Sequence, residues 1–531
     1  MKLFNFRRSA IPTAATCFIS VFFFLFLSCS SDSPTESSPD YTLHIEIIPE
    51  DAGTTDPPAG DFHEGDNLRL RAIPTENYLF DRWEGDLTTV SNPADLTMNS
   101  DKFITAIFSR APLSMGGDGS VADPYQVYSL ADLVAIGLEE NLDKHYIQMG
   151  DIDAGESIEL QNGSGFQPIG TRELPFTGSF RGNGYSIFNL YIHNQRNSTN
   201  ATGFIGYMKN GLIEDVTIDN QSPDWVSDSE LSKQHISNFE IEEFAVTSSD
   251  ISNERGVGGL IGFNDGGTIR NSVYRGDIVG HIHQRIGGFV GVNTGLIENC
   301  QYDGEARGGR SAAGFVHVNS GQILNSSATG KVNAMSTYGF VNSNLGEITH
   351  SFANVEIYGS LEIAGFVQRN EGTIRSSFMK GTLFGHRHSG GFARHNYGLI
   401  EDAYVLAETE IEFLDVGDGD FLAGGFAGTN HAAGEIRNSF VAGVITVDLE
   451  NFSSYVYGGF AANNAGTISS GFWDVEASGL DVGIDEGNPE GATGLTTAQM
   501  TGSSAELNMP GFNWVNVWRT TEDGYPALRW E

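Results

Sequence analysis

The chain has 531 residues, which is too long for one ordinary domain and long enough for several units or a repeat array. Glycine contributes 66 residues and charged residues only 18%, a balance that favours short strands and tight turns over long helices. The formal net charge of −39 argues against DNA, RNA or an anionic bilayer as a partner.

Residues 1–28 have the pattern of an export signal. Basic residues precede a hydrophobic stretch over 17–27 that is too short to span a membrane. The stretch ends in Phe-Leu-Ser-Cys, which resembles a bacterial lipobox and implies acylation of Cys29. A plain secretory signal, or a failed membrane helix, is the alternative.

Residues 29–40 are too polar to bury a core and are predicted to form an acidic Ser/Pro tether. The acidic start of this segment resembles surface-export signals of Bacteroidetes-like lipoproteins. That resemblance implies an outer-membrane lipoprotein of a bacterial cell envelope, exposed at the cell surface and held to the membrane by its lipid alone.

Residues 41–110 alternate apolar and polar side chains between Gly, Asp and Pro turns, which predicts a small β-domain. The order of Ala-Gly-Thr, Gly-Asp-Asn-Leu, Ala-Ile-Pro and Tyr-Leu-Phe-Asp-Arg-Trp-Glu-Gly resembles the divergent B-repeat of internalin-like surface proteins. Such units act as stalks or spacers, so no site is assigned here. Trp83 is expected in the core rather than as a platform for sugars.

An internal repeat organises the remainder of the chain. Glycine followed by Leu or Phe recurs at Gly259, Gly288, Gly314, Gly339, Gly365, Gly391, Gly425 and Gly459, at intervals of 29, 26, 25, 26, 26, 34 and 34 residues. An asparagine follows each glycine by five positions, at Asn264, Asn293, Asn319, Asn344, Asn370, Asn396, Asn430 and Asn464. A further glycine and then an isoleucine complete each unit.

Because one unit has too little apolar surface to fold alone, the units must stack. Stacking puts isoleucine on isoleucine inside and aligns the asparagines in a hydrogen-bonded ladder at a turn. The predicted fold is all-β: a parallel β-helix or solenoid, expected to be right-handed, preceded by the small β-domain. A propeller is the rival, but its blades need about 40–45 residues.

The Gly-Leu-Ile-Gly run at Gly259 and its Gly-Phe counterparts resemble the GLUG motif of bacterial surface proteins. The flanking segments resemble the opening and closing parts of such arrays. We therefore predict an opening cap over 115–190, a GLUG solenoid over 191–480 and a closing segment over 481–531. The first Gly-Phe pair, at Gly203, departs from the pattern because Met208 replaces the ladder asparagine and 219–255 is inserted after it.

No catalytic site is predicted. GLUG repeats also occur beside the catalytic part of IgA-cleaving metallopeptidases, but the two histidines and glutamate of that zinc motif are absent. The histidine pairs at 281/283 and 386/388 lie four rungs apart and are interpreted as surface residues. No cofactor or metal is expected, although the acidic run at 415–420 faintly resembles a calcium loop.

Two units, starting at Gly391 and Gly425, are eight residues longer than the base unit. We predict that the surplus protrudes as loops within 405–423 and 441–457 and presents acids beside aromatics. The candidate partner-binding residues are Glu410, Glu412, Asp415, Asp418, Asp420, Phe452, Tyr455 and Tyr457. Extended strands that only widen the two rungs are the alternative.

These patterns favour a non-enzymatic adhesion rod that binds an unknown surface glycan or protein. One alternative is a carbohydrate-active β-helix enzyme, a lyase or a hydrolase, which requires a cleft where acids meet a basic or aromatic partner. The other is a structural component of the envelope.

Overall fold

The computed structural model describes residues 40–75, 78–110, 115–193, 201–220, 256–280, 285–308, 310–385, 387–411, 421–447 and 455–531. The predicted signal, Cys29 and the tether up to residue 39 lie outside these ranges. The chain divides into two units, Met1–Pro112 and Leu113–Glu531. Within the described ranges, no helix has both the length and the apolar character needed to cross a membrane.

The first unit is a small β-domain. Its strands are β1 (Asp40–Ile48), β2 (Gly53–Asp56), β3 (Gly60–His63), β4 (Asn67–Pro74), β5 (Tyr78–Gly85), β6 (Ala94–Thr97) and β7 (Lys102–Arg110). One sheet has the order β3-β1-β7-β5 and the other β2-β4-β6. Leu70 and Ala72 are buried in β4 while Arg69 and Arg71 are exposed, as the pleat requires. Trp83 is fully buried, which confirms its predicted place in the core.

The second unit is a parallel β-solenoid, which confirms the predicted fold class. Its handedness stays a prediction. Most of its strands belong to two long sheets, here called sheet A and sheet B.

Sheet A contains Tyr125–Val127, His145–Gln148, Ile152–Asp153, Ser179–Arg181, Ser186–Phe188, Leu212–Glu214, Thr217–Asp219, Gly256–Val257, Thr268–Arg270, Val273–Arg275, Ile278–Gly280, Arg285–Gly287, Leu296–Glu298, Gln301–Gly308, Ser311–Ala313, Gln322–Leu324, Ser327–Tyr338, Glu347–Thr349, Phe352–Ala364, Thr373–Gly385, His388–Gly390, Leu399–Ile411, Phe421–Gly424, Glu435–Ala442, Ile445–Val447, Tyr455–Gly458, Thr467–Asp474 and Ala492–Leu495. Sheet B contains Ile205–Lys209, Ile261–Asp265, Val290–Asn293, Val316–Asn319, Val341–Asn344, Val367–Asn370, Ala393–Asn396, Ala427–Asn430, Ala461–Asn464 and Ile484–Gly487. Sheet B therefore carries the asparagine motif.

Equivalent residues of successive rungs are direct register partners, so each side chain rests on its own counterpart. The isoleucines that follow the asparagines form one buried column at positions 269, 297, 323, 348, 374, 400, 436 and 468. The phenylalanines after the repeat glycines form a second, in which Phe289, Phe315, Phe340, Phe366, Phe392, Phe426 and Phe460 stack with ring centroids 4.7–5.1 Å apart. The core is thus a bundle of like-on-like columns.

The eight repeat asparagines form a single buried ladder. Each is 0% exposed, and its Nδ2 donates to Oδ1 of the next asparagine at 2.7–2.9 Å, from Asn264 to Asn464. Backbone groups of the adjoining turn supply further partners, as where Gly267 N–H donates to Asn264 Oδ1. At the lower end, Met208 is the register partner of Asn264, so the ladder starts one rung after the first Gly-Phe pair.

A second corner follows each core isoleucine. The residue two positions later has a left-handed φ of 45–55° at Asn271, Asn299, Asn325, His350, Ser376, Asp402, Asn438 and Ser470. The next residue is small, and several backbone N–H groups at this position donate to a serine hydroxyl of the following rung, as from Ser326 to Ser351. The small residues at this place in the repeat are buried, which leaves little room for a larger side chain.

The start of the solenoid is covered by helix α1 (Leu130–Ile136) and a 3-10 turn (Glu139–Asn141). Ser129 caps α1 by accepting from the Asp132 N–H at 3.2 Å. Leu133 and Ile136 are buried in the solenoid core, so α1 shields the end of the columns from water. A second 3-10 segment spans Gly155–Gly163.

The C-terminal segment folds back along the outside of the last rungs. It contains α2 (Val475–Ser478), α3 (Thr497–Met500), α4 (Ser504–Asn508) and the antiparallel pair Trp518–Arg519 and Ala527–Leu528. Its aromatic side chains cover an outward column formed by Phe378, Tyr404, Phe440 and Phe472. Trp530 Nε1 donates to the Ser376 carbonyl at 2.9 Å and Tyr404 donates to the Glu531 carboxylate at 2.9 Å.

Candidate functional site

The predicted partner-binding residues that the structure describes lie where the two long rungs leave sheet A. Glu410 is exposed near the end of strand Leu399–Ile411, and Tyr455 and Tyr457 lie in strand Tyr455–Gly458. Tyr455 is 49% exposed, and its ring centroid is 5.7 Å from that of Tyr457. The remaining predicted residues, Glu412, Asp415, Asp418, Asp420 and Phe452, lie outside the described residues, as does the calcium-like run at 415–420.

The strand register locates the surplus of the Gly391 rung. Gly385 pairs with Ile411, and His388 pairs with Leu422. In the preceding rung, His388 follows Gly385 by three positions (388 − 385). In the Gly391 rung, Leu422 follows Ile411 by eleven positions (422 − 411). The whole surplus of eight residues lies between Ile411 and Leu422, and residues 405–411 form ordinary strand.

The Gly425 rung divides its surplus between two places. Ile411 pairs with Val447 and Leu422 pairs with Val456. Val456 therefore follows Val447 by nine positions (456 − 447), compared with three in the shorter rung, which accounts for six extra residues. The other two lie in the asparagine turn, where Asn430 is followed by its glycine after four positions instead of two. Residues 441–447 lie before the insertion and continue the strands of the regular rung.

Both longer insertions leave and re-enter the solenoid at the same place on its circumference, because their flanking residues are register partners. We call this place the insertion face and define it by Glu408, Glu410, Val447, Tyr455 and Tyr457. It combines exposed carboxylates with tyrosine rings.

A second group of charged and aromatic side chains lies on and beside sheet B and was not predicted. Its members are Arg369, Arg394, His395, Tyr397 and His431, here called the basic cluster. The Arg369 guanidinium lies 4.0 Å from the Tyr397 ring centroid, and the rings of Tyr397 and His431 stack at 3.8 Å. His395 Nδ1 and His431 Nε2 are 3.1 Å apart, so one imidazole donates to the other.

Arg394 is the most constrained member of the basic cluster. It is 6% exposed, and its Nε lies 4.0 Å from Glu362 Oε1. In the described part of the chain, Nε and Nη1 of Arg394 have no hydrogen-bond partner. Burial lowers the pKa of Arg394, and burial together with Arg394 lowers the pKa of His395 to about 2. His395 is therefore neutral at physiological pH.

No local sequence pattern indicates the basic cluster, because its residues belong to three different rungs. His395 is the register partner of Arg369 and of Thr429, positions separated by 26 and 34 residues. Only alignment of the rungs brings them together. The one visible signal was the irregular asparagine turn at 430–434, which supplies His431.

Two serine hydroxyls lie within hydrogen-bond distance of a histidine ring. Ser179 Oγ lies 2.8 Å from His145 Nδ1, and Ser311 Oγ lies 2.6 Å from His317 Nε2. In the described residues neither histidine has a hydrogen bond to a carboxylate, which a serine nucleophile's base uses for orientation. The Ser179 N–H is already bonded to the Lys144 carbonyl and does not serve an oxyanion. No catalytic constellation is evident in the described chain.

The described residues offer little support for a metal site or for a reactive thiol. Among the described residues, no three His, Cys, Asp or Glu side chains are grouped so that they could hold a metal ion. Of the histidine pairs considered from the sequence, 281, 283 and 386 lie outside these residues. His388 is the first residue of the sheet A strand His388–Gly390 and is half-buried. Cys300 is buried, and burial raises its thiol pKa to about 12, so it is not a reactive nucleophile.

Comparison with known families identifies the small β-domain. Residues 43–112 match the model of the divergent InlB B-repeat domain. This match confirms the resemblance to an internalin B-repeat within the first unit.

Two curated proteins are similar to longer stretches of the chain. Halomucin of Haloquadratum walsbyi is 31% identical over 188 residues, which are 34% of this chain and 2% of halomucin. An immunoglobulin A1 protease of Streptococcus sanguinis is 27% identical over 312 residues, which are 52% of this chain and 16% of the protease. The chain thus spans a small fraction of either relative, and both similarities are compatible with a cell-surface protein.

Among solved structures, a proposed immunoglobulin A1 protease from Bacteroides ovatus is similar to 78% of this chain and 95% of its own. The sequence identity is 15% and the TM-score 0.33.

Proposed function

We propose that this protein is a lipid-anchored bacterial surface protein whose GLUG-repeat solenoid binds a glycan or a protein partner without catalysis. The acyl anchor and tether hold the chain at the outer membrane, the B-repeat domain acts as spacer, and the solenoid presents the binding surface.

The observation that carries this proposal is the shared origin of the two insertions. Consecutive rungs lengthen at the same register position, between Ile411 and Leu422 and between Val447 and Val456. In repeat proteins, insertions on one face commonly form the binding face. Because the interior columns continue unchanged through both rungs, the extra residues are not needed for the core.

The binding test trims the insertions to the length of the shorter rungs. Two residues join Gly385 to His388, so eight residues are removed between Ile411 and Leu422 and six between Val447 and Val456. The trimmed chain should lose binding to the glycans or host surfaces that the parent binds. The control is Tyr128→Ala, which removes a tyrosine that is 55% exposed in the opening segment and should bind as the parent does. Undiminished binding by the trimmed chain would place the partner elsewhere.

The anchor is tested by replacing Cys29 with serine. One acylated cysteine supplies the membrane affinity, so Cys29→Ser should move the protein from the membrane fraction to the soluble fraction. Cys300→Ser is the matched control, because Cys300 occupies the column that holds Ser272 and Ser326 in neighbouring rungs and tolerates a hydroxyl. Retention of Cys29→Ser in the membrane fraction would refute the lipobox assignment.

The second candidate function is a carbohydrate-active enzyme, and the basic cluster is the observation that favours it. Arginine next to a neutral histidine and a tyrosine, with Glu362 and Glu371 nearby, is the combination of acids with basic and aromatic groups that such an enzyme needs. If the cluster is catalytic, prolonged incubation with acidic and neutral polysaccharides will yield shortened chains, and His395→Ala will abolish their formation. Chains of unchanged length leave the binding function as the better account.

A further inference from the structure

We propose that a cavity in the opening rungs of the solenoid binds one acidic sugar unit, a ring that carries hydroxyl groups and a carboxylate. The cavity has a volume of about 200 Å³, and the residues that line it lie between positions 121 and 212. Both insertions lie some two hundred residues further along the chain, after Ile411 and after Val447. The inference therefore goes beyond the proposed function of the insertion face and does not depend on it.

The cavity forms where three opening strands of sheet A meet a turn of the cap. Ser179 is the register partner of His145 in the preceding rung and of Leu212 in the following one. The next residue of each strand is buried in the core: Tyr146, Phe180 and Ile213. The column of Ser179 therefore faces outward. The turn that contains Val121 is held against this column, because the His145 N–H donates to the Gly119 carbonyl at 2.9 Å.

The cavity has a polar floor and an open mouth. Ser179 is only 6% exposed, and its Oγ lies 2.8 Å from His145 Nδ1, so a hydroxyl and an imidazole form the floor. Thr177 and Asn210 are exposed lining residues, and Val121 is 65% exposed. These three residues form the rim, and the mouth opens to solvent.

Arg181 supplies the charge of the cavity. Among the described residues that line it, Arg181 is the one Lys or Arg, and no Asp or Glu takes part. This lining differs from the rest of a chain that has 68 acidic and 29 basic residues. Arg181 Nε donates to Glu214 Oε2 at 3.1 Å, but the other oxygen of Glu214 lies 2.6 Å from Arg270 Nη2. Two guanidinium groups share this carboxylate, so Glu214 does not neutralise both, and the cavity favours an anionic group.

The lining groups select a hydroxylated carboxylate. The guanidinium binds a carboxylate through paired N–H groups. The hydroxyls of Thr177 and Ser179 and the amide of Asn210 donate to and accept from sugar hydroxyls. Val121 and Leu212 provide apolar contact for the C–H groups of a ring, which an inorganic anion would leave uncovered. The volume is below the roughly 300–1,000 Å³ of pockets for drug-sized ligands, so the cavity fits one sugar unit.

The test compares glucuronate with glucose, two rings that differ in whether C6 is a carboxylate or a CH₂OH group. Each is titrated into the full chain carrying Cys29→Ser, and binding is followed by ligand-observed NMR. We expect a Kd for glucuronate on the order of 1 mM, as for a ligand of this size. Glucose should bind at least roughly tenfold more weakly, because it lacks the charge-assisted hydrogen bonds to Arg181. Arg181→Gln should remove this preference for glucuronate.

The matched control is Arg375→Gln. Arg375 occupies the same outward column as Arg181, six rungs later. The side chains of both arginines are 41% exposed, and in both the Nε lies 3.1 Å from a glutamate of the next rung. Arg375 does not line the cavity. Arg375→Gln should therefore bind glucuronate as the parent does.

A second variant tests the cavity without changing a charge. Ser179→Leu introduces the residue that stands at this column one rung later, so its larger side chain fills the floor. It should abolish glucuronate binding while thermal unfolding shows a folded chain. Full glucuronate binding by a folded Ser179→Leu would overturn the site.

The outcomes also separate this site from the insertion face. The chain trimmed at both insertions should bind glucuronate as the parent does, and loss of glucuronate binding on trimming would overturn the cavity. Equal binding of glucose and glucuronate, or equal losses in Arg181→Gln and Arg375→Gln, would overturn it as well. Lactate or sulfate bound as tightly as glucuronate would overturn the sugar as ligand. Absence of glucuronate binding would overturn the cavity and leave the proposed function of the insertion face untouched.

Discussion

The asparagine turn and the insertion face lie in the same rungs but differ in how strictly residue identity and length are conserved from rung to rung. At the turn, eight rungs place the same residue in the same buried position and link it by hydrogen bonds of 2.7–2.9 Å. At the insertion face, two rungs add eight and six residues without disturbing the columns beside them. The stacked columns constrain which residue can occupy each position, whereas the insertion face does not, and the proposed binding residues lie at the unconstrained positions.

The largest expected effect comes from breaking the asparagine ladder in its middle. Asn344 accepts from Asn319 Nδ2 at 2.9 Å and donates to Asn370 Oδ1 at 2.8 Å. Asn344→Ala leaves both buried partners without their hydrogen bond and should lower the free energy of unfolding by about 1–3 kcal/mol. Asn344→Asp should lower the free energy of unfolding further, because it places a buried carboxylate against Asn370 Oδ1.

The matched control for the ladder is Asn354→Ala, an exposed asparagine ten residues further along the same rung. It should change the free energy of unfolding by less than about 0.5 kcal/mol. Equal effects of the two alanine variants in urea unfolding would show that the ladder is not a stabilising element.

The second prediction concerns the buried ion pair of the basic cluster. Glu362→Gln removes the carboxylate nearest to Arg394 and should destabilise the rod by about 1–2 kcal/mol, since the guanidinium stays buried without a counter-charge. Arg394→Met removes the charge together with its unsatisfied N–H groups and should be neutral or stabilising. Thermal melts of the two variants check this order, and a more stable Glu362→Gln than Arg394→Met would contradict it.

A graded effect is expected from pH. Burial lowers the pKa of His317 to about 3 and that of His395 to about 2, below the ordinary value of 6.5. The unfolded chain therefore takes up protons first as the pH falls below about 6.5, and stability is lost progressively toward the folded pKa values. The free energy of unfolding should fall by on the order of 1 kcal/mol per pH unit for each histidine.

The control for the pH effect is His317→Asn, which copies Asn342 of the following rung at the same position of the repeat. It should flatten the dependence of the urea midpoint on pH between about 6 and 4. An unaltered slope would show that His317 does not contribute.

The fold was predictable from sequence because its determinants recur. Glycine, phenylalanine, asparagine and isoleucine each define one column, and their spacing predicts the parallel β-solenoid. The left-handed corner also has a recurring sequence pattern, in which Asn or Ser is followed by a small residue, as in Asn325-Ser326. The repeat pattern alone gave no physical reason for that pairing.

The functional surfaces were less predictable because they depend on register rather than recurrence. The basic cluster joins residues 26–36 positions apart that share no motif. His145 and Ser179 likewise become neighbours only when their rungs are aligned. The predicted loop ranges were wider than the insertions, since residues 405–411 and 441–447 continue the strands of the regular rungs.

The most direct test of the central claim is a pair of thermal melts on one background. The chain trimmed by eight and six residues at the insertion face changes far more atoms than Asn344→Ala, which removes one amide. If the interior columns hold the fold, the trimmed chain will unfold at nearly the parent temperature and Asn344→Ala will unfold several degrees lower. A trimmed chain that melts well below Asn344→Ala would contradict the account and make the insertion face part of the folded framework.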